Sequence, residues 1–344
     1  MILDRTLDGI ALRDVGAAAQ RAEADGAGAT WIGEVNFDPF LPMLLAAEHT
    51  STIEVGTSVA IAFARSPMTV AMTSYDLQGL SAGRFVPGLG TQVRGHVTRR
   101  FSMPWSAPAT RMREYIQALH AIWTSWQDGT GLDFAGEFYT HTLMTPMFCP
   151  VSHAFGWPKI MIAGVGERMV HVAGEVGDGL FIHPFSSPEY VRTQISPAFD
   201  AGLAASGRER SQVAVACALL TATGPTDAAI ERAAEDARRQ IAFYVSTPAY
   251  SAVLKAHGWG ELQPRLAEFV KARRWQDLAE IVSDEVLSTF ALVGTPAQVS
   301  ADLHERWGDI LDRASLIAPS GVDEQSWRAI FTAHAAIGGP RASV

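Results

Sequence analysis

Cysteine is almost missing from this chain: its 344 residues include 2, Cys149 and Cys217, far apart and in no C-x-x-C. That excludes a disulfide framework and a zinc ribbon, and both read as small buried apolar residues. Long apolar runs are missing too. The longest, such as residues 41–47, fall far short of the roughly 20 residues a membrane span requires, so no membrane anchor is expected. The opening Met1-Ile2-Leu3-Asp4-Arg5 carries an acid and no apolar stretch of signal-peptide length, which points to a cytoplasmic protein. Positive charge is in deficit, with 27 Lys and Arg against 36 Asp and Glu and a formal net charge of −9. Phosphate backbones are held by basic surface, so nucleic acid is not an expected partner. The 10 histidines include no i,i+3 or i,i+4 pair, and no carboxylate cluster joins one at ligand spacing. A metal hydrolase is therefore disfavoured and no metal site is expected. There is also no G-x-S-x-G elbow and no Walker loop.

What is present is apolar bulk: 48% hydrophobic residues against 18% charged ones, enough for a large packed core. The length allows two average domains, yet α/β barrels use it as one, and a single domain over residues 1–344 is expected. Short β-branched runs alternate with Gly, Pro, Ser or Asp punctuation and longer segments of helical period. A helix over 12–25 ends at Gly26, where glycine caps it, and a strand over 29–34 follows. A helix over 39–49 precedes a strand over 53–59. Ser66 and Pro67, a cap and a first-turn proline, start a helix to about Leu80. Gly83-Arg84-Phe85 feeds the strand that runs into "PGLGTQVRGH" at residues 87–96. A polar, proline-spaced stretch leads to a helix over 109–126, and residues 132–142 suggest a small hairpin. The second half reads as strands over 159–163, 179–183, 213–221 and 313–318. Between and after them lie helices over 166–173, 188–206, 226–244, 295–307 and 324–335, with Glu235 and Arg239 spaced as an i,i+4 pair. Residues 246–284 break the rhythm as an insertion carrying short helices. Counting a first strand ahead of the helix at 12, eight mostly apolar strand candidates, covered on both faces, predict an α/β fold of the closed (β/α)8 TIM-barrel type.

In such a barrel the functional groups gather at the carboxyl ends of the strands. The candidates are Glu34 and Asn36, Ser58 and Val59, then Thr91, Gln92, Arg94 and His96, then Gly164, Val165, Gly166, Glu167 and Arg168, and finally His183. Residues 87–96 fail as a dinucleotide fingerprint because the third glycine position falls on Val93. The run is either a loop whose glycines let backbone approach a ligand or a plain tight turn. Gly164 to Gly166 opens a helix, which is either an anion site or a glycine-rich connection. Most candidates are neutral hydrogen-bonding groups, so a cofactor that carries the reaction itself fits this rim. His96 and His183 are the best placed to move a proton near neutral pH. Trp31, Trp105 and Tyr139 either wall a substrate pocket or belong to the core.

The segments "GTSVAIAFARSPMTVAMTSYDLQGLSAGRFVPGLGTQVRGH", "PKIMIAGVGERMVHVAGEVGDGLFIHPF" and "FALVGTPAQVSADLHERWG" resemble the luciferase-like monooxygenase superfamily. They are most similar to its actinobacterial branch of coenzyme F420-dependent oxidoreductases, over about residues 3–316. The resemblance implies a luciferase-like barrel with a deazaflavin across its mouth, FMN being the alternative cofactor. It also implies a non-prolyl cis peptide at Ser58-Val59 against the central ring, Thr91 and Gln92 near ring and tail, and a phosphate at Gly164, Val165 and Gly166 beside Glu167 and Arg168. Arg94, Arg99 and Arg100 either meet an anionic cofactor tail or form a solvated loop. Sugar-phosphate dehydrogenases of the superfamily end strand two in Asp-His and carry a Glu after strand four. This chain has Glu34-Val35 and Val93 there, so sugar-phosphate oxidation is not expected, while Glu34 remains available to the cofactor's polar edge. The expected activity is hydride transfer between the deazaflavin C5 and a small organic substrate. A reduced-FMN monooxygenase and a non-catalytic flavin-binding protein are the alternatives. A homodimer is implied by the resemblance, and Tyr250, His257 and Trp259 in the insertion mark a possible pocket lid.

Overall fold

The computed structural model describes residues 1–272, 274, 279–319 and 321–338. Eight parallel strands close on themselves in chain order: Ile2–Thr6, Ala29–Ile32, a third in two pieces, a fourth in two pieces, Met161–Gly164, Gly179–Ile182, Ala214–Ala222 and Arg313–Ile317. The third comprises Glu54–Thr57 and Ala60–Ile61, and the fourth comprises Phe85–Val86 and Gly88–Gly90. Val55 pairs Phe85, Ala60 pairs Leu89 and Gly88 pairs Met161, while Ile2 pairs Arg313 across the closure. The fold is the expected (β/α)8 barrel. A short strand, Ala291–Val293, also pairs parallel to the end of the seventh.

The helices form where sequence signals place them. Ser66 accepts the Thr69 N–H and Pro67 opens the helix Pro67–Leu80. Thr295 and Gln298 form a reciprocal capping box at Pro296–Trp307. Gly26 takes φ +89°, the left-handed stop after Val15–Ala24. The segment 188–206 is helical but not uniform: its turn at Val191–Ile195 is widened to the π type, and Ser196 N–H reaches back to Val191 O. That wider turn sits just before Pro197, which has no N–H to continue the ladder.

Three expectations need correction. Arg239 pairs with Asp236 and Glu235 with Arg238, both at i,i+3 rather than the expected i,i+4. Cys149 is half-buried, and only Cys217 is buried. The polar stretch after strand four contains a helix, Arg94–Arg99, started by Gln92 at φ +60° with its own Oε1 accepting the Val93 N–H. The insertion carries the expected short helices, over Ser251–Ala256 and Leu262–Lys271, with residues 273 and 275–278 outside the described part. Among the described residues no helix is long and apolar enough to cross a membrane.

Inside the barrel, Ala29, Trp31, Val86, Met161, Phe181 and Ala216 form a separate apolar cluster. Trp31 and Phe181 meet edge to face, centroids 5.1 Å apart. Their bulk is matched by glycines. A Cβ at Gly56 would stand 2.3 Å from Trp31 Cζ3, and one at Gly88 would stand 2.7 Å from Phe181 Cε2. Trp31 Nε1 donates to Asp4 at 2.8 Å, and Arg313 binds both Asp4 oxygens at 2.9 Å and Glu54 at 2.6 Å. Trp31 is thus a plug at the amino-terminal half of the barrel, not a wall of the mouth. Its position two residues before Gly33 on an inward-facing register explains why.

Candidate active site

The plug ends abruptly toward the carboxyl ends of the strands. Two residues further along each inward face, the side chains turn small or regain exposure. Thr6, Ser58, Ala163, His183, Ala218 and Ile317 are half-buried, while Leu7, Thr57, Ile162, Ile182, Cys217 and Leu316 beside them are buried. Such a pattern, in which inward residues are open and their outward neighbours closed, is a cup above a packed floor.

The third strand forms one side of this cup. The Ser58–Val59 peptide bond is cis, and the flanking backbone is tied to strand two by Ser58 N–H to Ile32 O (2.8 Å) and Glu34 N–H to Val59 O (3.1 Å). Glu34 is buried, and its Oε2 accepts from Ile61 N–H at 2.7 Å and Arg65 at 2.6 Å. Arg65 also binds Asp38 at 2.8 Å. Burial alone would lower the Arg65 pKa, but the hydrogen bonds and charges of Glu34 and Asp38 outweigh it and raise it. One Glu34 oxygen therefore fixes the upper piece of strand three.

Around the rim, Thr91 Oγ1 donates to Gln92 O at 3.0 Å. Arg94 and His96 are exposed on the short helix that follows, as are Arg99 and Arg100, and Arg100 crosses to the Val35 carbonyl at 2.5 Å. The loops after strands two and four are thereby joined. Beyond strand five, Gly164 and Val165 lead to Gly166, which starts the helix Glu167–Val176 with no side chain capping it. Gly166, Glu167 and Arg168 are exposed there. A cleft of about 800 Å3 adjoins this helix, lined by Thr110, Arg113, Arg168 and His171 among others. Clefts of about 260 and 580 Å3 lie outside the barrel beside the segment starting at Pro188, and neither carries a mouth residue.

His183 lies at the end of strand six in an aromatic setting. Tyr250 stacks on it with centroids 4.3 Å apart at 26°, and Tyr244 meets it at 5.0 Å and 77°. Burial lowers its pKa to about 4, so at neutral pH the ring is uncharged. Its Nδ1 accepts the Phe185 N–H at 3.0 Å. The proton of the neutral ring is then on Nε2. Burial likewise pushes the Tyr244 hydroxyl up to about 12.

Two mouth residues escaped the sequence reading. Asp8 follows the first strand; its Oδ1 accepts the Gly33 N–H at 3.0 Å, and its pKa is raised by burial, partly offset by that bond. A Cβ at Gly33 would meet Ser58 O at 3.2 Å and Asp8 Oδ1 at 3.6 Å, so this carboxyl lies close to the cis peptide. Applying the strand-end rule to strand one would have found it. Tyr244 belongs to the long helix Asp227–Val245, whose inner end no local signal marks. Tyr250, from the insertion, does reach the mouth. His257 instead bonds Ser187 at 2.7 Å and stacks on Trp259 at 4.9 Å, which anchors the insertion. Trp105 packs edge to face on Phe63, and Tyr139 is held by Arg111 at 2.7 Å against Tyr115. Among the described residues, no group of three or more His, Cys, Asp or Glu is placed to hold a metal ion.

Comparison with known proteins agrees with this geometry. An uncharacterized protein of Mycobacterium tuberculosis is 50% identical over 296 residues, 86% of this chain and 87% of that one. The 5,10-methylenetetrahydromethanopterin reductase of Archaeoglobus fulgidus is 27% identical over 312 residues, 88% and 85% of the two chains. The coenzyme F420-dependent tetrahydromethanopterin reductase of Methanopyrus kandleri superposes with a TM-score of 0.82 at 18% identity, over 98% of this chain and 99% of that one. The family model described as luciferase-like monooxygenase matches residues 3–313. This chain belongs to the luciferase-like monooxygenase family.

Proposed function

We propose that this protein is a coenzyme F420-dependent oxidoreductase acting on a small organic molecule. The observation that carries the reading is the hollow mouth: a rim of small inward residues over a plug of Trp31, Met161 and Phe181. The residues present fit a flat tricyclic ring with a phosphate tail. The cis Ser58–Val59 backbone and Gly33 offer a flat wall, and Thr91 and Gln92 offer hydrogen-bonding groups beside it. The uncapped N–H groups of Glu167 and Arg168, after Gly164, Val165 and Gly166, suit a phosphate. Exposed Arg94 suits the anionic tail. A bound deazaflavin supplies or accepts a hydride at C5, where carbon in place of nitrogen blocks the oxygen chemistry of flavins.

The chain's own contribution is alignment, since hydride donor and acceptor must approach to about 3–3.5 Å. Burial shifts Asp8 toward its protonated form, and His183 presents Nε2–H. Glu34 acts as a positioning residue through Ile61 and Arg65, and His96, exposed on its helix, is not required by this arrangement. A reduced-FMN monooxygenase is the second reading, favoured by the description of the matching family. Titrating the protein with F420 and with FMN separates the two. Tighter F420 binding, with substrate-dependent change in deazaflavin absorbance, is expected. Tight FMN binding without detectable F420 binding overturns the proposal, and F420 binding without turnover over a broad substrate panel favours a non-catalytic binder.

Self-association fits the surface as well. Leu143, Met147, Phe148 and Val151 are 76%, 84%, 69% and 91% exposed on one loop. That loop is strapped to the helix Pro67–Leu80 by His153 stacked on Tyr75, a helix that also exposes Met72 at 53%. Exposed apolar side chains grouped in this way mark a protein–protein contact more often than a bare surface. A second copy of the chain is the proposed occupant. Sedimentation should report a dimer that Phe148→Lys dissociates, and a monomer at micromolar concentration overturns this.

A further inference from the structure

The mouth also carries information about what enters it. The inward-facing positions around it are Thr6, Gly33, Ser58, Ala163, Ala218 and Ile317, with His183 between them, and none is cationic. The guanidinium nearest strand three, Arg65, is committed to Glu34 and Asp38, and Arg100 is committed to a carbonyl. Asp8 is the one acidic group described at the mouth, and it faces Gly33 and Ser58 O. An anionic substrate would be desolvated against these inward positions with no cation among them, the exposed Arg94 and Arg99 standing on the helix beyond strand four, and burying an unpaired charge is strongly unfavourable.

Opposite strand three the wall is aromatic. His183, Tyr244 and Tyr250 contact one another at 4.3 to 6.0 Å, and all three are half-buried. Among the described residues, Tyr244 is hydrogen-bonded to Gln240, whereas the Tyr250 hydroxyl and His183 Nε2 have no protein partner. The His183 tautomer is fixed by Phe185 N–H on Nδ1, so Nε2–H is a donor, and among the described residues no protein acceptor takes it. A donor fixed in place beside flat apolar faces suits an oxygen carried on a planar skeleton.

We propose that the substrate is an uncharged planar carbonyl compound or its alcohol, held against Tyr250 and Tyr244 with its oxygen on His183 Nε2–H, and that carboxylates and phosphates are excluded. This deepens the reading above and rests on it for the position of the cofactor. In the reducing direction a hydride adds to the carbonyl carbon and one proton to its oxygen, giving the alcohol; oxidation returns both.

Three probes of one size separate the parts of the proposal: acetophenone, benzoate and ethylbenzene, titrated by calorimetry into the F420-loaded protein. Cofactor affinity is measured first and separately, so a failure to load F420 is read as failure of the cofactor assignment. In that event the same probes are titrated into the cofactor-free or FMN-loaded protein. Acetophenone is expected to bind at least ten-fold more tightly than benzoate. Tyr250→Ala should weaken acetophenone and ethylbenzene alike by about ten-fold, with Tyr250→Phe close to wild type. His183→Phe, which keeps a stacking ring and loses the N–H, should weaken acetophenone about ten-fold and leave ethylbenzene unchanged. Thermal melting of each variant checks that the fold is retained. Benzoate binding as tightly as acetophenone, binding of neither, or an equal response of acetophenone and ethylbenzene to His183→Phe overturns the proposal.

Discussion

Replacing Gly56 by alanine tests whether the barrel floor is packed as tightly as the geometry requires. The added Cβ would lie 2.3 Å from Trp31 Cζ3 and 2.3 Å from the Val86 carbonyl oxygen, against ordinary contact at 3.4 Å or more. Neither neighbour yields easily. The indole is held by its bond to Asp4 at 2.8 Å, by the Phe181 edge at 5.1 Å and by the Arg313 guanidinium 5.5 Å from its centroid. The carbonyl belongs to a paired strand. Overpacking a core by one methyl commonly costs about 1–3 kcal/mol, and rigid neighbours on two sides place Gly56→Ala at or above the top of that range. The control is Gly166→Ala, at the helix start on the rim, where a Cβ meets nothing within 4 Å and φ is −99°. Its cost should stay within about 0.5 kcal/mol. Urea unfolding of both variants reads the difference as a shift in midpoint. Adding Trp31→Phe to Gly56→Ala removes the indole clash and leaves the carbonyl clash, so rescue should be partial. A Gly56→Ala unfolding free energy within about 1 kcal/mol of wild type, or full rescue by Trp31→Phe, refutes the account of the floor.

Acid should destabilise the protein well before its carboxylates titrate. His334 is 6% exposed with its pKa lowered to about 4 by burial, then by His304 and the amino terminus. Its folded value lies below the ordinary 6.5, so this stability is complete above 6.5 and is lost as pH falls from there toward 4, on the order of 3 kcal/mol. Urea midpoints across that range should fall, and His334→Gln should flatten the slope; an unchanged slope removes the assignment. Arg65→Ala leaves the buried Glu34 carboxylate without its cation and should cost about 3–5 kcal/mol, whereas Glu34→Gln with Arg65 intact should cost less; equal losses in thermal melts contradict the pairing. Asp8→Asn should leave F420 affinity intact and cut turnover about 10²–10⁴-fold. Wild-type activity should decline as pH rises through the raised Asp8 pKa, and retention of that limb in Asp8→Asn rules the carboxyl out as the proton holder.

The barrel was legible because its signals are local. Apolar runs such as Leu180 to Ile182 are buried on both faces, and caps such as Ser66 and Thr295 act within three residues. What escaped depended on depth or on distance in sequence. Trp31 looks like a pocket residue because it lies on strand two, and only strand register shows that it sits below the rim. The helix Arg94–Arg99 was hidden because it starts from Gln92 in a left-handed conformation, which sequence patterns assign to glycine. The contact of Tyr250 with His183 joins residues 67 positions apart, and nothing in either neighbourhood encodes it.

The division of the barrel into two levels explains why so few acid and base groups serve the mouth. Charges with strong partners are placed below the plug, where Asp4, Arg313 and Glu54 satisfy one another, or outside the rim, where Arg65 joins Glu34 and Asp38. Both sets fix strands without entering the cup. The groups that do face it, Asp8 and His183, are both shifted by burial toward their neutral forms. Shifts toward the neutral forms favour hydrogen-bond donors over a strong field at the mouth. The hydride transfer proposed above suits that environment, because it depends on approach and exclusion of water more than on charge. Introducing a permanent cation into the rim, as in Ala218→Lys, would then open the mouth to anionic ligands while weakening neutral ones.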